Sequence, residues 1–128
     1  MRITPLNQEI VMQEGDLIVS KTDTKGRITY GNRAFNQYSG FTEHELMGIQ
    51  HNIVRHPDMP RAVFKLLWDR IQAGQEVFAF VKNIRKDGAY YWVFANVTPS
   101  YDVNNNLLGY FSVLSLIHIS EPTRLRRI

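Results

Sequence analysis

The hydrophobic pattern changes period twice along the chain. Leu17 to Thr22 has strand character and Arg27 to Tyr30 resumes it, with Asp23-Thr24-Lys25-Gly26 as a turn between them, so the first block predicts a β-hairpin. From Asn32 the period lengthens: Ala34, Phe35 and Tyr38 share a helical face and Gly40 ends it. Thr42-Glu43-His44-Glu45 is a capping-box sequence, opening a short helix that holds Leu46 and Met47 and closes at Gly48. A long helix is predicted from about Met59 to Ala73. There Val63, Leu66, Leu67, Arg70 and Ile71 recur at spacings of three and four to make one buried face, and Gly74 stops it. Then β character returns. Glu76 to Ile84 is rich in Val, Phe and Ile, Lys86-Asp87-Gly88 is a hairpin turn, and Ala89 to Val97 carries aromatic side chains on both faces. A polar turn from Asp102 to Asn106 leads to a last strand, Leu107 to Val113. Two strands, several helices and three strands predict an α+β domain over residues 17–113: a five-stranded antiparallel sheet with several short helices and one longer helix on one face. Residues 1–16 are read as an N-terminal segment, loose or briefly helical, packed against that domain.

Chemistry is concentrated in ten residues, His51-Asn52-Ile53-Val54-Arg55-His56-Pro57-Asp58-Met59-Pro60. Two prolines fix φ and remove backbone donors, stiffening a polar loop just ahead of the long helix, and Asp58 suits its N-cap. A rigid polar loop opening onto an apolar helix is suited to present hydrogen-bonding groups to a ligand. The histidines are five apart, which fits neither a helical metal pair nor a finger motif, and with no cysteine in the chain a zinc site has no framework. No Ser-His-Asp order or close carboxylate pair supplies a catalytic constellation, so the chain is read as a non-enzyme. The bland readings are that His51 and His56 hold the loop by hydrogen bonds, and that Arg55 and Asp58 pair to keep it shut. Phe64 and Trp92 read as core, and Trp68 is left open between core and ligand wall.

Charge changes the picture little. The net charge of +3 comes largely from Arg124, Arg126 and Arg127 in the tail, and the body without residues 114–128 is near +1 with both signs interleaved. That argues against a nucleic-acid partner. No apolar run reaches the roughly 20 residues of a membrane span, Met1 to Asp16 has no secretory pattern, and the absence of cysteine fits a cytoplasmic address. Leu114 to Arg124 looks like the in-frame translation of a sequencing adapter, so residues 114–128 are expected to be non-native.

Four blocks together resemble a PAS domain of the bacterial aerotaxis (energy-taxis) receptor type. They are Asp23 to Asn32, Ser39 to Gly48, the His51–Pro60 run, and Lys82-Asn83 with Tyr91-Trp92-Val93. The resemblance covers about Leu17 to Val113. It implies a cytoplasmic sensory module that binds FAD and signals redox or oxygen status to a chemoreceptor, kinase or other output domain, with homodimerisation an option. It implies flavin contacts from Asn32, His51, Asn52, Arg55, His56, Asp58, Trp68 and Asn83. Arg55 would pair with a phosphate, Asn32 and Asn83 would read the ring edge, and Phe35, Phe78, Phe80 and Trp92 would form an apolar wall. One position departs: Val77 stands where those receptor domains have a tryptophan, with Phe78 beside it. Haem on His51 or His56 is the less favoured cofactor, and a cofactor-free interaction module is the alternative function. Without cysteine, the photoreceptor type of flavin PAS that forms a cysteinyl adduct is excluded.

Overall fold

A computed structural model describes residues 3–116. The strands are β1 (Leu17–Thr22), β2 (Ile28–Gly31), β3 (Val77–Ile84), β4 (Tyr90–Tyr101) and β5 (Leu107–Ser115). Between β2 and β3 lie α1 (Arg33–Ser39), α2 (Glu43–Leu46), a 3₁₀ turn (His51–Val54) and α3 (Arg61–Gln72). All strand pairs are antiparallel, in the order β2-β1-β5-β4-β3, so the two chain-terminal strands meet in the centre of the sheet. This is the predicted α+β architecture.

Local sequence explains the short elements. Asp23 accepts hydrogen bonds from the backbone N–H groups of Lys25 and Arg27 and pairs with the Arg27 guanidinium at 2.7 Å, which closes the β1–β2 turn. The predicted capping box forms in full: Glu45 N donates to Thr42 Oγ1 and Thr42 N donates back to Glu45 Oε1. Gly40 ends α1 in the left-handed region at φ 76°, where a side chain would be strained.

Strand alternation divides the sheet into two faces. Ile18, Val81, Tyr91, Val93, Ala95 and Leu114 point to the helices and are buried. With Phe35, Phe41, Leu46 and Val54 they make one core, into which Met12 of the N-terminal segment also packs. That segment is extended, not helical: Leu6 N donates to Gly88 O, Ile10 N to Tyr90 O and Tyr90 N to Gln8 O, so it runs along the start of β4. Strand β5 passes beyond the expected boundary at Val113, with Leu114 in the core, while residues 117–128 of the adapter-like tail lie outside the described residues.

The opposite face of the sheet is apolar and largely open. Phe78 and Phe80 are more than half exposed there and pack on Phe94 at ring distances of 5.8 and 5.2 Å. Phe78, Phe80 and Trp92 therefore form no ligand wall, and Trp92 is not core: register turns the even positions of β3 and β4 outward. Phe78 likewise does not replace the tryptophan absent at the inward-facing, buried Val77.

Candidate functional site

A cavity of about 470 Å³ lies between the sheet and α3. Its sheet wall is Val81, Asn83, Ala95, Val97, Tyr110, Ser112 and Leu114, contributed by β3, β4 and β5. Phe64, Leu67, Trp68 and Ile71 of α3 form the other wall, and Gln50, His51, Asn52, Val54 and Arg55 close one side. Because α3 spans an open cavity, Phe64, Leu67 and Trp68 on its inner stripe are only half-buried, Arg61 and Lys65 are exposed, and Ile71 is buried. The stripe falls on 61, 64, 65, 67, 68 and 71: of the expected face Leu67 and Ile71 lie on it, while Leu66 is 54% exposed and Arg70 faces solvent.

Five of the eight expected contacts line this cavity: His51, Asn52, Arg55, Trp68 and Asn83. Asn83 is 4% exposed, sits in the wall, and is held in place by a backbone bridge between β3 and Arg55. Its side chain neighbours the Tyr91 hydroxyl, which is fully buried and has no hydrogen-bond partner of good geometry. Burial pushes the Tyr91 phenol above its usual range, offset in part by Asn83. His51 stacks on Phe35 at 5.6 Å and 14°, and its Nε2 is 2.9 Å from Ser20 Oγ. Burial lowers its pKa to about 4, so the imidazole is neutral at physiological pH. Arg55 lays its guanidinium over the Phe64 ring at 4.8 Å, and Trp68 meets Tyr110 edge-on at 5.3 Å.

Three expected contacts lie elsewhere, each engaged with other parts of the fold. Asn32 caps α1: its Oδ1 accepts from Phe35 N and Val19 N, and its Nδ2 donates to Leu17 O. It ties the helix to β1. Asn32→Ala is expected to cost about 1–2 kcal/mol in urea unfolding, the range for a lost cap. His56 is buried, accepts from Asp58 N through Nδ1 at 3.0 Å and packs edge-on against Tyr90, so it pins the loop to the sheet. Desolvation lowers its pKa, helped by the Lys82 charge and opposed by Asp58. Asp58 is exposed and pairs with Lys82 at 3.2 Å. It neither meets Arg55 nor caps α3, whose N-cap is Pro60 with no side-chain hydrogen bond. Phe35 lies behind His51 rather than at the cavity surface.

The sequence reading missed Lys25, Gln50, Arg61, Lys65 and Ser112, which also line the cavity. The signal for two of them was present: Arg61 and Lys65 share the helical stripe of Phe64 and Trp68. Apolar periodicity alone hides such positions.

The PAS fold family model matches residues 9–117. The chain is 41% identical over 106 residues to the aerotaxis receptor of Escherichia coli (strain K12), covering 83% of this chain and 21% of that protein. It is 24% identical to the nitrogen fixation regulatory protein of Klebsiella pneumoniae, covering 86% of this chain and 22% of that one. The chain thus spans about a fifth of these relatives. Among solved structures, the PAS domain of a Colwellia psychrerythraea protein superposes with a TM-score of 0.71 at 18% identity, over 79% of this chain and 86% of that one. A light-oxygen-voltage domain studied with a flavin analogue gives 0.71 at 17% identity, over 85% of this chain and 82% of that one. Both support the fold.

Proposed function

The chain belongs to the PAS family, and on that premise we propose that its cavity binds FAD non-covalently and that the module, working in the cytoplasm, reports redox or oxygen status to a chemotaxis-type or other signalling partner. The carrying observation is Asn83: a buried amide in the wall of a cavity whose other surfaces are Val81, Ala95, Val97 and Leu114 on one side and Leu67 and Ile71 on the other. A flat aromatic ring with carbonyl and N–H groups on one edge needs that combination, an apolar slot and an amide offering both donor and acceptor. The residues present therefore fit a flavin. His51, Asn52 and Arg55 add polar groups on the side of the slot. The relatives point the same way, one being an aerotaxis receptor and another a light-oxygen-voltage domain studied with a flavin analogue.

When bound, the flavin supplies redox chemistry that changes the charge and hydrogen bonding at its ring edge. The chain's own part is to sense that edge. Asn83 is on β3, the edge strand, and its amide can turn between the cavity and the Tyr91 hydroxyl, which otherwise lacks a partner. Lys82 precedes it and Phe80 lies farther along the same strand on the exposed outer face, so a shift of β3 at Asn83 would be passed to the surface a partner would contact.

The test is an absorption spectrum of the purified protein, then heat release and identification of the chromophore. Released FAD is the expected result, and Asn83→Ala or Arg55→Ala is expected to weaken FAD binding about tenfold, the effect of losing one hydrogen bond or charge contact. A Soret band would redirect the reading to haem, for which His51 is the imidazole at the cavity. A protein that stays colourless after incubation with FAD and haem would favour a cofactor-free interaction module. The exposed phenylalanines of the outer sheet face are the observation on that side.

A further inference from the structure

The two edges of the sheet are treated differently. At β2 the edge is covered: Ile28 N donates to Ile49 O and Gly48 N to Ile28 O. At β3 only the C-terminal part is covered, where His56 N donates to Lys82 O and Arg55 bridges Asn83. Main-chain groups alternate in direction along a strand. The N–H and C=O of Phe78 and Phe80 therefore point to the same side as the Lys82 carbonyl, away from β4. None of these groups has a hydrogen-bond partner among the described residues. Natural proteins blunt such an edge with charge, proline or a bulge. Val77 to Val81 has none of the three, being uncharged, free of proline and in unbroken register with β4.

The bare segment, Val77-Phe78-Ala79-Phe80-Val81, is also a palindrome centred on Ala79. Identical strands pairing antiparallel about a two-fold axis set each residue against the one equally far beyond the axis. With the axis at Ala79, Phe78 of one copy faces Phe80 of the other. Both turn their main-chain groups to the shared edge, so the pair exchanges both N–H···O bonds and the axis repeats it. Their rings, more than half exposed, then lie side by side on the outer face. The charges match in this register too. Glu76 comes to the end of the partner copy's bare edge, beside Lys82. Glu76 is exposed and has no ion-pair partner among the described residues, and Lys82 is held at that end by Asp58 at 3.2 Å. Neighbouring registers are worse: an axis at Phe80 needs the Lys82 carbonyl that His56 already occupies, and an axis at Phe78 sets Glu76 against Phe80.

We propose that β3 pairs antiparallel with β3 of a second copy of this chain about an axis at Ala79, joining the two sheets edge to edge in a homodimer. Main-chain bonds supply the attraction, the paired phenylalanines the apolar contact, and Glu76 with Lys82 the register.

The test is sedimentation equilibrium of the full chain from micromolar to submillimolar concentration, at low and high potassium chloride, where a monomer–dimer equilibrium is expected. Glu76→Lys sets like charges at both ends of the pairing and is expected to weaken the dimer about tenfold at low salt and less at high salt. Phe80→Pro removes an edge-facing donor from each copy while sparing the β3–β4 ladder, and is expected to weaken it at least about tenfold. Because the chain has no cysteine, Ala79→Cys reads the axis directly. Facing residues of such a pair lie within disulfide reach. Mild oxidation is therefore expected to cross-link Ala79→Cys far faster than Leu66→Cys, whose side chain is exposed on α3. A chain that stays monomeric throughout would overturn the proposal. So would a dimer whose affinity Glu76→Lys leaves unchanged, or one that cross-links no faster through Ala79→Cys than through Leu66→Cys, since either would form through another face. These two readouts decide the matter even if Phe80→Pro fails to fold.

Discussion

Gly109→Ala is expected to cost at least about 3 kcal/mol in urea unfolding. Gly109 is in β5, beside the end of β1, where the two strands pair through Tyr110 and Thr22. A Cβ added there would land on the Thr22 carbonyl oxygen, with the Thr22 carbonyl carbon at 2.9 Å and the Asp23 Cα at 3.0 Å. All three atoms are backbone, so no rotamer change relieves the overlap. Either β5 or the end of β1 must move, and β1 at that point leads into the Asp23 turn that carries Lys25 and Gly26 to the cavity. Overpacking a filled site costs about 1–3 kcal/mol, and backbone that cannot relax puts the cost at or above the top of that range. Gly15→Ala is the control, since nothing lies within 4 Å of a Cβ there and only its left-handed backbone, φ 90°, penalises the change, by about 1–2 kcal/mol. A Gly109→Ala protein no less stable than the control would mean that the β1–β5 crossing yields easily.

This contact shows what a sequence conceals. Gly109 sits in a run, Leu107-Leu108-Gly109-Tyr110, that reads as strand, and nothing local marks the approach of a second backbone 87 positions earlier at Thr22. Local features were legible because their causes are local: the capping box at Thr42, the Asp23 turn and the glycine at the end of α1 each involve residues a few positions apart. Face assignment was less legible. Aromatic residues fill both faces of β4, so pattern alone cannot say whether Phe94 and Trp92 or Tyr91 and Val93 point inward. The helix seated over the sheet decides it. The same blindness placed the inner face of α3 on Leu66 and Arg70, because a helix that roofs a cavity is free to carry Arg61 and Lys65 on its inner stripe. At the site, the loop's importance was visible and its division of labour was not. His51, Asn52 and Arg55 reach the cavity, while His56 and Asp58 turn back to the sheet to hold the loop, a division set by the contacts of Tyr90 and Lys82 some thirty residues away.

Stability is expected to fall as pH drops from about 7 to about 5, chiefly through His51. Its pKa is near 6.5 in an unfolded chain and about 4 in the folded one, lowered by desolvation. Above 6.5 the imidazole is neutral in both states and contributes no pH dependence. Between 6.5 and 4 the unfolded chain takes up a proton that the folded chain refuses, so protons favour unfolding. Below 4 both states are protonated and the loss is complete. At about 1.4 kcal/mol per unit of pKa shift, the full loss is about 3 kcal/mol, of which about 2 kcal/mol falls by pH 5. His56, also lowered by burial, acts in the same direction. The carboxylates held low by their hydrogen bonds, Asp23, Glu45 and Asp102, begin to contribute only as pH approaches the ordinary carboxylate range near 4. The interval from pH 7 to 5 therefore isolates the histidines. Urea unfolding across that interval for the parent and for His51→Gln, which keeps a polar partner for Ser20, separates the two. The variant should retain only the shallow slope due to His56. An unchanged slope would mean that His51 reaches enough water through the cavity to be protonated in the folded state. That outcome would give the cavity a titrating cation at mildly acid pH, where the parent geometry provides a neutral hydrogen-bonding ring.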